Sequence, residues 1–92
     1  MNNFFFLVRV LSEPRKQEAS IETLVQVIYS SKRLKTKEMK ARIFNKIVKM
    51  QFLKSTKIGA CFFIWGHLIQ KTNVEKKDFE FIVTELLKLE KI

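Results

Sequence analysis

Apolar residues recur along much of the chain at spacings of three and four, the pattern typical of one face of an α-helix. The clearest run consists of Ile21, Leu24, Val25 and Ile28. A helix-start signal, Ser12-Glu13-Pro14, precedes this run. Proline is tolerated in a first helical turn because its missing N–H would have no partner there. The pattern predicts a first helix over residues 14–31.

A second periodic segment follows Thr36, which is a candidate N-cap, and it carries Glu38 where the helix dipole favours an acid. At 100° per residue, one side collects the apolar residues Met39, Ile43, Ile47 and Met50. The opposite side collects Arg42, Lys46 and Lys49. This segment predicts a helix over residues 37–54, with an apolar side in the core and a narrow basic face in solvent.

Two further segments complete the predicted architecture. The uncharged run Ile58–Gln70 is apolar all round, which predicts a buried helix over 57–71, with a buried strand through 61–65 as the alternative. An apolar stripe predicts a last amphipathic helix over 75–90. The short apolar segment 4–11 fits either a helical turn or a strand.

These elements predict an all-α fold, a compact four-helix bundle with the 57–71 helix at its centre and a short apolar N-terminal segment. The length of 92 residues predicts one domain, 1–92. The chain has only two glycines and one proline. Because small barrels and sandwiches usually need many tight turns, this scarcity argues against them.

Charge changes the picture, because the net charge of +9 resides in one stretch, Lys32–Lys57. Phosphates attract such a segment through counterion release, and lysine acts as a point charge that does not read bases. The sequence therefore predicts a nucleic-acid-binding protein or a ribonucleoprotein component that contacts an RNA or DNA backbone with little sequence specificity. The predicted contacts are Lys32, Arg33, Lys35, Lys37, Arg42, Lys46, Lys49 and Lys54.

The alternative hypothesis is a structural or adaptor subunit of a multi-subunit complex. Phe4, Phe5 and Phe6 would form apolar surface for a partner, and the basic face would meet an acidic protein surface. Tyr29, beside the basic stretch, fits either a boundary aromatic or a residue that stacks on a base. Trp65 is predicted to fill the core.

Catalytic chemistry finds no support in the sequence. The single histidine, His67, has no acid within five residues, and there is no glycine-rich phosphate loop. Too few Cys and His residues exist for a zinc site, and no uncharged run reaches the ~20 residues of a membrane span. We predict a non-enzymatic protein with no cofactor, metal or small-molecule substrate. The lone Cys61 favours a reducing intracellular compartment, cytoplasm or nucleus, with the mitochondrial matrix also open.

Overall fold

The structure, a computed structural model, describes residues 3–31, 37–72 and 77–90. This part of the chain is mostly β. The strands are β1 (Asn3–Val10), β2 (Arg15–Lys16), β3 (Ile21–Ser30), β4 (Glu38–Ile43), β5 (Cys61–Thr72) and β6 (Lys77–Lys88). The helix α1 (Lys46–Ser55) lies between β4 and β5, and within the described ranges it is too short to cross a membrane.

Five of the strands close into a barrel. The order around it is β1-β5-β6-β4-β3, and β1 pairs with both β5 and β3, which closes the ring. The β4–β6 pair is parallel and the other pairs are antiparallel. The short β2 pairs with the start of β3. A five-stranded Greek-key barrel of this kind, with a helix before its fourth strand, is an OB fold.

Alternation of side chains with a period of two explains the strands. In β3, Ile21, Thr23 and Val25 are buried, and they pair with the buried residues of β4. The residues between them face outward, away from the barrel interior. Because β-branched residues suit a pleated surface, this segment is a good strand.

Aromatic rings from three strands fill the barrel interior. Phe6, Phe62 and Phe81 are fully buried, and the rings of Phe6 and Phe81 meet edge to face with centroids 4.8 Å apart. Burying a side chain of this kind contributes about 1.5–3 kcal/mol. The core is therefore built by residues distant in sequence, which only the closed barrel brings together.

The helix α1 begins at a cap that the sequence encodes locally. The side chain of Asn45 accepts hydrogen bonds from the backbone N–H groups of Ile47 (2.9 Å) and Val48 (3.1 Å). The helix buries Val48 and Phe52, and the Phe52 ring lies 5.1 Å from that of Phe62. Packing against the core thus fixes α1 on the barrel.

The predicted all-α four-helix bundle is wrong. The segment predicted as helix 14–31 forms β2 and β3, and the segment 75–90 contains β6. In 57–71 the alternative of a strand through 61–65 is correct, and 4–11 is a strand for most of its length. In the predicted helix 37–54 only the second half, residues 46–54, is helical, as part of α1, and the first half contains β4. Cross-strand pairing overrides the helical spacing in each case.

The scarcity of glycine misled the prediction because the turns in the described residues need few left-handed backbone positions. Among the described residues, Gly59 alone has a positive φ, of 93°, and it lies in the turn between α1 and β5. Its N–H donates to the carbonyl of Val10 at 2.8 Å. A single glycine therefore supplies the left-handed backbone that this turn requires.

Candidate nucleic-acid interface

The outer surface of β3 is flanked by outward-facing residues of β1 and β4. Gln26 lies opposite Arg9 on one side and opposite Glu38 on the other, and Leu24 lies opposite Lys40. The Arg9 Nη1 donates to Gln26 Oε1 at 3.4 Å. We call these five residues the three-strand face. Arg9 and Lys40 are exposed, so the face presents two basic side chains to solvent, beside the half-buried Leu24 and Gln26.

An aromatic cluster continues this surface towards the start of β1. It consists of Phe5, Tyr29, Phe63 and Trp65, which come from three strands. The Phe5 ring lies at the centre, with ring centroids 5.5 Å from Phe63, 4.9 Å from Trp65 and 6.3 Å from Tyr29. Leu7, which pairs with Tyr29, lies along β1 between the cluster and Arg9. The cluster and the three-strand face are therefore neighbouring parts of one outer surface.

Tyr29 has the most exposed ring of the cluster. A bulge in β3 just before Tyr29 changes the register with β1 and turns this side chain outward. Leu7 pairs with Tyr29 whereas the next residue, Val8, pairs with Val27, which leaves Ile28 without a partner in the ladder. Bulges of this kind re-aim side chains. The Tyr29 side chain is 57% exposed, and Trp65 is 36% exposed. Both side chains are therefore partly accessible from solvent.

A shallow cleft of about 330 Å³ lies beside Trp65. It is lined by Phe4, Phe5, Ser31, Trp65, Gly66, Thr84 and Glu85. Ser31 is held against β1 twice, since its Oγ accepts from the Phe5 N–H at 3.1 Å and its own N–H donates to the Phe5 carbonyl at 2.9 Å. The end of β3 is thus fixed next to the aromatic cluster.

An ion-pair cluster occupies the outer side of β3, β4 and β6. Arg42 Nη2 donates to Glu22 Oε2 at 2.8 Å, and Arg42 Nε lies 3.3 Å from Glu80 Oε1. Lys40 Nζ lies 4.0 Å from Glu22 Oε1, and Gln17 Nε2 donates to Glu22 Oε2 at 2.9 Å. Both carboxylates are buried. The charge of Arg42 is therefore committed to structure and is poorly placed to bind a phosphate.

The environment of Glu22 lowers its pKa. Burial acts in the opposite direction and would raise the pKa, but the hydrogen bond from Arg42 and the positive charges of Lys40 and Arg42 outweigh it. The hydrogen bond from Gln17 acts in the same sense as the positive charges. The carboxylate is thus held in its charged form by its neighbours.

This lowered pKa makes the stability of the barrel sensitive to acid. A carboxylate whose pKa is lower in the folded state stabilises the fold above its ordinary pKa of 4.5, and this contribution is lost as the pH falls through the folded-state pKa. We expect the free energy of unfolding to fall on acidification below about pH 4.5, and the Glu22→Gln variant to show a shallower fall. Urea unfolding at several pH values measures how the free energy of unfolding depends on pH in both proteins. An equal dependence in the two proteins would contradict the lowered pKa of Glu22.

The structure divides the predicted phosphate contacts into separate groups. Lys37 is exposed beside the start of β4, and its carbonyl accepts from the Val27 N–H at 2.8 Å. Lys46 and Lys49 lie in the first turns of α1 and Lys54 lies in its last turn. The predicted basic helix face of Arg42, Lys46 and Lys49 is wrong, because Arg42 belongs to a strand. Lys32, Arg33 and Lys35 lie outside the described residues.

The three phenylalanines predicted to contact a partner have different environments. Phe6 is fully buried in the core, so it is unavailable to a partner. Phe4 and Phe5 are half-buried, and the Phe4 ring stacks on that of Phe6 at 5.8 Å. Alternation along β1 separates Phe5 from Phe6, because adjacent residues point to opposite faces of a strand. Phe4 lies on the same face as Phe6 and packs against the core, but it is only partly buried.

Sequence reasoning missed most of this surface. Trp65 was predicted to fill the core, yet it lies on the outer side of β5, and Arg9 and Lys40 were absent from the predicted contacts. The signal was present in the alternation of β5, where Phe62 and Ile64 are buried while Phe63 and Trp65 are more exposed. Reading that run with a period of two would have found the outer rings.

The described residues offer little for metal or cofactor chemistry. No group of three His, Cys, Asp or Glu residues in 3–31, 37–72 and 77–90 is placed to hold a metal ion. Cys61 is a free, half-buried thiol whose Sγ lies 3.9 Å from the Gly59 carbonyl. What this surface offers is exposed aromatic side chains together with two basic residues, Arg9 and Lys40, and one acid, Glu38.

No protein-family model and no curated protein matches the sequence. Solved structures do match the fold. The chain is similar to a mitochondrial single-stranded DNA-binding protein of S. cerevisiae, with a TM-score of 0.77 at 12% identity over 97% of this chain and 95% of that one. It is also similar to the SSB of Plasmodium falciparum, solved in complex with single-stranded DNA, with a TM-score of 0.72 at 14% identity over 98% and 96%.

A third similar structure is the SSB domain of a Synechococcus protein, with a TM-score of 0.63 at 13% identity over 94% of this chain and 93% of that one. The likeness covers nearly the whole of both chains in each comparison. These comparisons establish that the chain is a five-stranded OB barrel with one helix, like the SSB proteins.

Proposed function

We propose that this protein binds single-stranded DNA, without catalysing a reaction, through the three-strand face and the aromatic cluster. The observation that carries the proposal is the full-length fold likeness to single-stranded DNA-binding proteins. OB folds bind oligonucleotides on the face of their second and third barrel strands, which here are β3 and β4. The three-strand face occupies that position.

The chemistry of the surface suits a single strand. Unpaired bases stack on exposed aromatic rings whatever their sequence, and Tyr29 and Trp65 supply two such rings. Arg9 and Lys40 lie on the same surface, where they would neutralise phosphates. Duplex DNA hides its bases in a stack, so this surface favours single strands.

We also propose phosphate contacts by the basic residues between β3 and β4, from their position in the sequence alone. Lys32 follows Ser31 directly, and Ser31 is fixed against Phe5 beside the aromatic cluster. We therefore retain Lys32, Arg33, Lys35 and Lys37 as proposed phosphate contacts. The ion-paired Arg42 and the helix residues Lys46, Lys49 and Lys54 are not part of the proposed interface.

Titration of a fluorescent oligothymidylate tests the proposal directly. We expect binding near physiological salt, with a log–log salt slope near −0.7 per phosphate contact, and weaker binding to a duplex of the same length. The matching oligouridylate distinguishes DNA from RNA as the preferred strand. Absence of binding, or equal affinity for the duplex, would sink the proposal.

Substitution of Tyr29 tests the proposed stacking platform. Tyr29→Ala should weaken oligothymidylate binding about tenfold, because loss of one base–aromatic stack costs about 1–3 kcal/mol. Tyr29→Phe keeps the ring and should bind like the unmodified protein. An unchanged affinity in Tyr29→Ala would remove this residue from the interface.

A further inference from the structure

An apolar stripe runs along the solvent side of α1. Ile47, Met50 and Leu53 are spaced three residues apart, so they lie on one side of the helix, and they are 68%, 54% and 42% exposed. The opposite side buries Val48 and Phe52. Single exposed apolar residues are ordinary, but a row of three is the kind of surface that marks an interaction site.

The stripe borders a groove between α1 and the segment that links β1 to β3. Leu53 lines two depressions, of about 220 Å³ and 550 Å³, which we together call the groove. The first is lined by Lys16, Gln17, Ser20, Ile21, Lys46, Lys49, Met50 and Leu53. The second is lined by Glu13, Pro14, Leu53, Thr56, Lys57 and Ile58.

Four of the residues that line the groove are lysines. Lys16, Lys46 and Lys49 line the first depression and Lys57 lines the second, whereas Glu13 is the one acid among the lining residues. Lys49 Nζ lies 3.4 Å from the Ala19 carbonyl, which links α1 to the opposite wall. The lining therefore combines apolar side chains with an excess of positive charge.

The groove and the proposed DNA interface share no residues. The groove is formed by α1 and the chain around β2, whereas the three-strand face and the aromatic cluster are formed by the main barrel strands. The lining residues of the groove include no aromatic ring on which a base could stack. The groove can therefore attract phosphates through its lysines, but it offers no platform on which a base could stack.

We propose that this groove binds an acidic amphipathic segment of a partner protein. Its apolar residues would cover Met50, Leu53 and Ile58, and its carboxylates would pair with the lysines of the lining. A concave surface with this charge pattern fits a protein chain better than a flat membrane, and complementary charge sets both partner choice and association rate. The inference does not depend on DNA binding.

A synthetic peptide of about 15 residues, in which Asp and Glu alternate with Leu and Phe, serves as the probe. We expect the fluorescein-labelled peptide to bind, and the same peptide with serine in place of Leu and Phe to bind at least about tenfold more weakly. Amide chemical shifts of the protein should change at Met50 and Leu53 and remain unchanged at Tyr29 and Lys40.

Variants of the apolar residues and of the lysines of the groove complete the test. The double variants Met50→Ser/Leu53→Ser and Lys46→Glu/Lys49→Glu should each lose at least about tenfold in peptide affinity. Ile69→Ser is the matched control, because Ile69 is an exposed apolar residue of β5 outside the groove, and it should bind normally. Circular dichroism verifies that each variant is folded.

Three outcomes would overturn the proposal. The first is equal binding of the peptide and its serine counterpart, and the second is displacement of the peptide by oligothymidylate with shift changes at Tyr29. The third is binding of phosphatidylserine vesicles through Met50 and Leu53 in place of the peptide. The groove variants should keep oligothymidylate binding, so this proposal and the proposed function fail separately.

Discussion

Replacing Gly66 with alanine should destabilise the barrel by about 3 kcal/mol or more. Gly66 lies opposite Val83, where the register between β5 and β6 shifts. A Cβ atom at this position would lie 1.8 Å from the Ile82 carbonyl oxygen and 2.9 Å from its carbon. Both are backbone atoms, so only a displacement of the β5–β6 pair relieves the clash. Urea unfolding, read at the transition midpoint, measures the loss.

Gly59→Ala is the matched control for this substitution. Nothing lies within 4 Å of a Cβ built on Gly59, and its cost comes from the positive φ alone. We expect a loss of about 1–2 kcal/mol there. If Gly66→Ala were no more destabilising than Gly59→Ala, the bulge between β5 and β6 would have to be adaptable, and the close approach at Gly66 would carry no structural requirement.

The second large effect is expected from Arg42→Met, which should lower the free energy of unfolding by about 3 kcal/mol at neutral pH. The methionine keeps the aliphatic bulk, but it leaves the buried carboxylates of Glu22 and Glu80 without their shared cation. An uncompensated buried charge costs far more than the net value of the pair. The measurement is again the midpoint of urea unfolding.

Two further variants show whether the loss of stability in Arg42→Met comes from the lost charge or from lost packing. Lys37→Met removes an exposed base near the same strand and should change stability by no more than about 0.5 kcal/mol. Adding Glu22→Gln and Glu80→Gln to Arg42→Met removes the buried charges and should recover most of the loss. Failure of that triple variant to recover would mean that Arg42 acts through packing.

The sequence predicted apolar positions better than it predicted their period. Ile21 and Val25 are buried, as the helical spacing indicated, but the same two residues also fit an alternating strand. The residue that decides between the two is Thr23, which is buried although it is polar. Its Oγ1 donates to the Ser12 carbonyl at 3.0 Å. This hydrogen bond satisfies the buried hydroxyl, and it forms only in the tertiary structure.

The candidate site shows the same division between local and non-local information. The cap at Asn45 is a local signal, and it could have placed the start of α1 from the sequence alone. The neutralisation of Arg42 could not be foreseen, because its acids lie on β3 and β6 rather than on its own strand. Total charge was readable in the sequence, whereas its distribution over the surface was not.

The parallel pairing of β6 with β4 has a consequence for how the chain acquires its structure. β6 is the last barrel strand in sequence, yet it lies between β4 and β5 and bonds to both. Until it arrives, both neighbouring strands have an open edge that can capture another chain. During synthesis the barrel therefore cannot close until residues 77–88 have left the ribosome. Until then the exposed edges of β4 and β5 make the incomplete chain prone to self-association.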